Sequence, residues 1–183
     1  VMGLNGAGKS TLLKVLLGRL PLDSGKYTVK GSIGGLVELN AGFHNEMTGI
    51  ENVYNRARLL GKSDREVAEK LDDIIAFADI GGFIDSPVKT YSSGMTVRLG
   101  FAIAIHFVED LVLCDEILAV GDFDFRQKCL KKINELRSKK SFVLVSHSTT
   151  DISNFCNRAI LLHKGEMLME GSPERVIECY ALC

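Results

Sequence analysis

The fold expected from this sequence is α/β: one domain, residues 1–183, with a mainly parallel core sheet and a helical subdomain. Three observations carry that expectation. A glycine-rich run, GLNGAGKST, opens directly into a stretch with helical spacing. The apolar runs LVLCD, SFVLVS and RAILLH alternate with helical segments, the pattern that places a parallel sheet between helices. Ahead of LVLCD stands a region with two helix-start signatures and no strand pattern.

Taken in order, Leu12, Leu13, Leu16, Leu17 and Leu20 predict a helix from Lys9 to Leu20 with one buried stripe. KYTVKGSIGGLVEL, β-branched and punctuated by glycine, predicts short strands joined by tight turns. Thr48-Gly-Ile-Glu51 and Ser63-Asp-Arg-Glu66 are capping boxes, in which hydroxyl and carboxylate each satisfy an orphan amide of a first helical turn. Val67, Leu71, Ile74, Ile75 and Ala78 give the second of these helices its apolar face, and Gly81-Gly82 is the expected left-handed C-cap. The helical subdomain is expected over about 48–107, ending in an apolar helix that follows Tyr91-Ser92-Ser93-Gly94 and runs to about Phe107. LVLCD is apolar on both faces and so belongs mid-sheet. A charged helix over about Phe123 to Lys139, the strand SFVLVS, a short helix from Thr149 and the strand RAILLH continue the alternation; EMLMEG is a further strand. Ser172 as N-cap and Pro173 at the first helical position start the last helix.

Composition narrows the function classes. A net charge of -1 removes the broad electrostatic argument for nucleic acid or acidic lipid. The longest apolar stretches, FAIAIHFV and LVLCDEILAV, fall short of the roughly 18 residues of a membrane span. Five cysteines without CxxC pairing read as thiols in a reducing compartment, with the cytosol as default.

Chemistry concentrates at strand ends. Gly3 to Ser10 fits the phosphate loop G-x-x-x-x-G-K-[ST] in full. Its glycines allow successive N–H groups, from Asn5, Gly6, Ala7 and Gly8 on toward Thr11, to turn around a β-phosphate; Lys9 reaches the β/γ oxygens and the Ser10 hydroxyl is offered to Mg²⁺. ATP fits such a loop. Asp115 and Glu116 end LVLCD at the carboxyl edge of the expected sheet, Asp115 as a Mg²⁺ ligand and Glu116 as the group that polarises attacking water. His147 follows FVLVS at another strand end, in reach of a γ-phosphate or its water. His106 reads as a core or interface residue, and His44 and His163 as loop and strand-end residues without a catalytic part.

The phosphate loop, Tyr91-Ser92-Ser93-Gly94-Met95, the strand closing on Asp115-Glu116, Ala119-Val120-Gly121-Asp122 and His147 occur in the order that resembles ABC-type ATPases. The resemblance covers essentially the whole chain. It implies that Ser92, Ser93 and Gly94 lie in the signature that contacts a γ-phosphate bound by the opposite subunit, with Asp122 in the D-loop at the dimer seam, and that the fold carries an antiparallel β portion. A serine-glycine helix N-terminus makes physical sense there as an anion site. The signature is YSSGM, with Ser93 and Met95 where the family pattern has glycine and glutamine, and the usual glutamine that senses γ-phosphate is replaced by either Glu38 or Asn40. ELNAGFHNEMTGIENVY, DEILAVGDFDF and KGEMLMEGSPERVIECY are similar to the ATPase subunits of bacterial polysaccharide exporters, for O-antigen, capsule or teichoic acid.

That likeness implies a head-to-tail homodimer with Mg²⁺ and ATP, an integral-membrane permease subunit docked near 38–48, and a glycan cargo contacted mainly by the permease. It places the subunit at the cytoplasmic face of the inner or plasma membrane, with no nucleic acid as partner. It also implies an upstream adenine-stacking aromatic and the first antiparallel strands, so the chain is read as clipped at its N-terminus. Two rivals differ in sequence. A soluble ABC ATPase of translation or DNA maintenance needs a second cassette or a long coiled coil, for which the interval from Lys9 to Ser92 leaves no room. An ATP-binding regulatory module without hydrolysis conflicts with intact Lys9, Asp115, Glu116 and His147.

Overall fold

The computed structural model describes residues 1–36, 39, 42–115 and 122–182. The chain divides into two compact units: Val1–Val37 with Glu109–Leu118 and Asn134–Cys183, and Glu38–Val108 with Ala119–Ile133.

The first unit is α/β. Its parallel sheet has β1 (Ile33–Leu36), β2 (Leu111–Asp115) and β3 (Ser141–Val145) in that order, with Val112, Leu113 and Cys114 of the central strand buried. The mid-sheet place expected for LVLCD follows from its having no polar face. Helix α1 (Lys9–Leu16) sets Leu13 against Leu113 and Val145, with Val1, Leu16, Leu17 and Ile33 around them. Val1 and Met2 join this sheet to a second one: the Val1 carbonyl accepts from Ser146 N–H at 3.3 Å, and Met2 exchanges bonds of 2.8 Å with Ile160 and Leu162. Helix α6 (Thr149–Phe155), capped by the Ser148 hydroxyl, and α7 (Pro173–Tyr180) complete the unit.

Three expectations are corrected in these elements. Strand β4 (Ala159–His163) continues the parallel order only through its bridge to Met2; it pairs antiparallel with β5 (Glu166–Gly171). Lys164 at φ +48° and Gly165 at φ +85° form the two-residue turn whose twist suits a hairpin. Helix α1 stops at Leu16, not Leu20, because Gly18 at φ +70° closes it: Gly18 N–H bonds to Val15 and Arg19 N–H to Lys14 at 2.9 and 2.8 Å, leaving Leu20 exposed. Of KYTVKGSIGGLVEL, only Ile33–Leu36 is a strand among the described residues.

The second unit is helical, and the stretch expected over about 48–107 falls within it. Both capping boxes form, on α2 (Gly49–Leu59) and α3 (Asp64–Ala78). Asp79 at φ +51°, rather than Gly81-Gly82, provides the left-handed stop of α3; the glycines open a short 3₁₀ turn instead. Helix α4 (Ser93–His106) is capped by Ser92 and buries nearly every residue from Leu99 to Ile105. Helix α5 (Phe123–Leu136) adds Phe125 to an aromatic cluster with Phe77 and Phe101, ring centroids 5.8 to 6.1 Å apart. His106, expected as a core or interface residue, is half-buried and lies edge-on to Phe77 with Nδ1 2.7 Å from the Ala102 carbonyl, and burial holds its pKa below the usual imidazole range. Among the described residues no helix is long and apolar enough to cross a membrane.

Candidate functional site

In the first unit, the residues from Asn5 to Thr11 and Asp115 line one cavity of about 430 Å³, ample for a nucleotide. Local backbone demands explain the loop sequence. Gly6 and Gly8 adopt φ of +80° and +99°, and a Cβ on Gly3 would sit 2.5 Å from the Leu162 carbonyl oxygen. The hairpin turn supports the loop from behind, Gly165 N–H donating to the Ala7 carbonyl at 3.1 Å. Gly8 has no side chain to cap α1, so the first N–H groups of the helix remain directed at the loop as an anion site.

Lys9 is buried, only 8% exposed, and its ammonium donates to the carbonyls of Gly3 and Leu4 at 2.8 and 3.0 Å. Among the described residues these bonds hold the ammonium without a carboxylate, so a phosphate oxygen can replace them at little reorganisation cost. The Ser10 hydroxyl donates to Asp115 Oδ2 at 3.5 Å. These two side chains set hard oxygen donors on one cavity wall, a donor set that fits Mg²⁺.

His147 is exposed just past the end of β3 and is not among the residues lining the cavity. Glu116, Ala119, Val120 and Gly121, with Glu38 and Asn40, lie outside the described residues. In the second unit the Ser92 hydroxyl accepts from Met95 N–H at 3.2 Å, and among the described residues a Cβ on Gly94 would meet only that hydroxyl, 3.8 Å away. The first turn of α4 is therefore open beside Ser93 and Gly94. Asp122 caps α5 by accepting from Phe125 N–H at 2.9 Å and pairs with Arg98 at 2.5 Å; that amide bond and then the guanidinium hold its carboxyl below the usual range.

Two residues that were not anticipated organise this unit. Arg98 also donates to the Asp79 carbonyl and lies over the Phe125 ring, tying α4 to the end of α3 and the start of α5. Asn52, fully buried, donates to the carbonyls of His44, Met47 and Thr48 and accepts from His44 N–H. Its place on the apolar face of α2, beside Val53 and Ala57, was the available signal.

The family described as ABC transporter matches residues 1–119. The chain is 45% identical over 181 residues to the ABC transporter protein AbcA of Aeromonas salmonicida, covering 98% of this chain and 59% of that protein. It is 41% identical to the O-antigen export system ATP-binding protein RfbB of Klebsiella pneumoniae, over 98% and 74%, and 43% identical to the teichoic acids export ATP-binding protein TagH of Lactococcus lactis, over 98% and 39%. It thus spans less than two thirds of the Aeromonas and Lactococcus proteins. Among solved structures, the ATP-binding subunit of an ABC transporter superposes with a TM-score of 0.84 at 22% identity, over 99% of this chain and 82% of that one. The post-hydrolysis dimer of the ATP-binding cassette MJ0796, bound to ADP and Pi, gives 0.76 at 20% identity, over 94% and 83%. At those identities the likeness establishes the α/β fold. Since the matched region takes in the phosphate loop, the signature and Asp115 together, the chain belongs to the ABC transporter family.

Proposed function

We propose that this chain is the ATP-binding and ATP-hydrolysing part of an exporter that moves a polysaccharide or lipid-linked glycan across the cytoplasmic membrane. The observation that carries the reading is the cavity walled by the phosphate loop and Asp115, with buried Lys9 and the uncapped start of α1 at its floor. The loop amides and helix start bind the β-phosphate, while Lys9 exchanges its bonds to Gly3 and Leu4 for phosphate oxygens. Ser10 and Asp115 would hold Mg²⁺, which neutralises charge on the β- and γ-oxygens when bound. Glu116 orients and polarises the water, and His147 contacts the γ-phosphate from the neighbouring strand end. Ser92, Ser93 and Gly94 of a second copy complete the site, an open serine-capped helix start offered to the γ-phosphate, with Asp122 at the seam.

Two such chains meet head to tail and reopen after hydrolysis, and an integral-membrane permease at the cytoplasmic face converts that motion into transport. The names of the Klebsiella and Lactococcus relatives support a glycan cargo. The test is Lys9→Met in the full-length protein. Removing the ammonium is expected to weaken Mg-ATP binding by about tenfold to a hundredfold, measured by isothermal titration; unchanged affinity would remove Lys9 and this cavity from the site.

A further inference from the structure

Arg56, on α2, sits in a place where an apolar side chain would be cheaper. Its guanidinium is largely withdrawn from water, and burial brings its pKa down to about 10. Nη1 donates to the carbonyl of Leu39, and the guanidinium carbon lies 4.6 Å from the centroid of the Phe43 ring. Among the described residues its partners are this neutral carbonyl and ring, and burying a charge on such partners is costly compared with packing a hydrocarbon. What arginine adds is direction, because its planar donor fork fixes the carbonyl it holds.

The same carbonyl rests on α4. A Cβ at Gly100 would overlap the Leu39 oxygen, approach the Leu39 carbonyl carbon to 3.0 Å and meet Arg56 Nη1 at 3.2 Å. Glycine inside a helix costs about 1 kcal/mol against alanine, and here it opens the space in which peptide, guanidinium and helix meet. Leu39 is buried, 7% exposed, and is the residue between Glu38 and Asn40 in the chain. Ser92 caps α4 about two turns upstream of Gly100.

We propose that Arg56 is a positioning residue: with Gly100 it clamps the Leu39 peptide onto α4, so that Leu39 and the helix start bearing Ser92 and Gly94 move as one body. This rests on the reading that Ser92 and Gly94 meet nucleotide held by the opposite subunit. Given that reading, a displacement of Leu39 is delivered to the signature along α4, against which the Leu39 peptide packs at Gly100.

The experiment uses the full-length protein with its membrane partner in nanodiscs and measures Mg-ATP dissociation constant, binding stoichiometry and steady-state kcat for Arg56→Lys, Arg56→Gln and Gly100→Ala. The expected result is a fall in kcat per bound nucleotide of about tenfold or more in each, with the dissociation constant within about twofold of the native value, since the phosphate-loop cavity is untouched. A purely structural role would lower the binding stoichiometry and leave kcat per bound nucleotide unchanged. That result, or native kcat in all three, overturns the clamp. If Arg56→Gln does not fold, Arg56→Lys and Gly100→Ala decide by the same criterion. Ser92→Ala in the same assay separates the two levels: lost turnover there with native turnover in the Arg56 variants sinks the clamp alone, while native turnover in Ser92→Ala removes the site reading and the clamp with it.

Discussion

Asn52 illustrates how one side chain can decide the shape of a loop. Its amide closes the turn from His44 to Thr48, adding a second donor to carbonyls that also accept from the Met47, Val88 and Asn52 N–H groups. Removing it takes one donor from each of three carbonyls and the acceptor from the His44 amide at once. Asn52→Leu fills similar volume without any donor and is expected to cost about 1–3 kcal/mol of unfolding free energy, measured by urea denaturation; a loss below about 0.5 kcal/mol would mean that water replaces the amide. The one sequence signal for this network, an asparagine on the apolar face of α2, is weak, because an asparagine in a helix is ordinarily solvated. Lys9 is the opposite case: glycine spacing and a lysine at the helix start were sufficient to place it, since the phosphate-loop geometry is entirely local.

Strand β1 is held to β2 by a small polar joint as well as by its ladder. Asp110, at the entrance to β2, accepts from Ser32 N–H and hydroxyl at 3.1 Å and from Lys140 at 3.0 Å. The Ser32 amide first, then Lys140, lower its pKa from 3.8 to about 2. The sign follows directly: a depressed carboxyl stabilises the fold above its unfolded value and loses that contribution as pH falls toward the folded one. Asp110→Asn is therefore expected to be less stable than the native protein at neutral pH, with the gap closing between about pH 4 and pH 2. Parallel urea midpoints across that range would contradict it. At this scale the sequence was legible where local rules decide and misleading where they do not. Both capping boxes and the Ser92 cap rest on side chains three residues from their targets, and all three form. The leucine period runs on to Leu20 although Gly18 ends the helix at Leu16, so periodicity alone overshot. The antiparallel pairing of β4 and β5 was within reach, because the Lys164-Gly165 pair between two apolar runs is a hairpin signal.

The whole molecule is where the sequence speaks through order more than through any single stretch. The phosphate loop, the serine-capped helix and Asp115 are each modest alone, and only their succession along the chain points to a nucleotide site shared between subunits. The two compact units fit that view: one holds the phosphate-loop cavity, the other the capped start of α4. On the reading proposed above, the second half of the site comes from another copy, which makes the claim a statement about mass. The most direct measurement is light scattering of the full-length Glu116→Gln protein with and without Mg-ATP, alongside the same protein carrying Ser92→Arg. The expected result is a nucleotide-dependent doubling of mass that Ser92→Arg abolishes while Mg-ATP still binds. A mass unchanged by bound Mg-ATP, or a dimer indifferent to Ser92→Arg, would contradict the shared site.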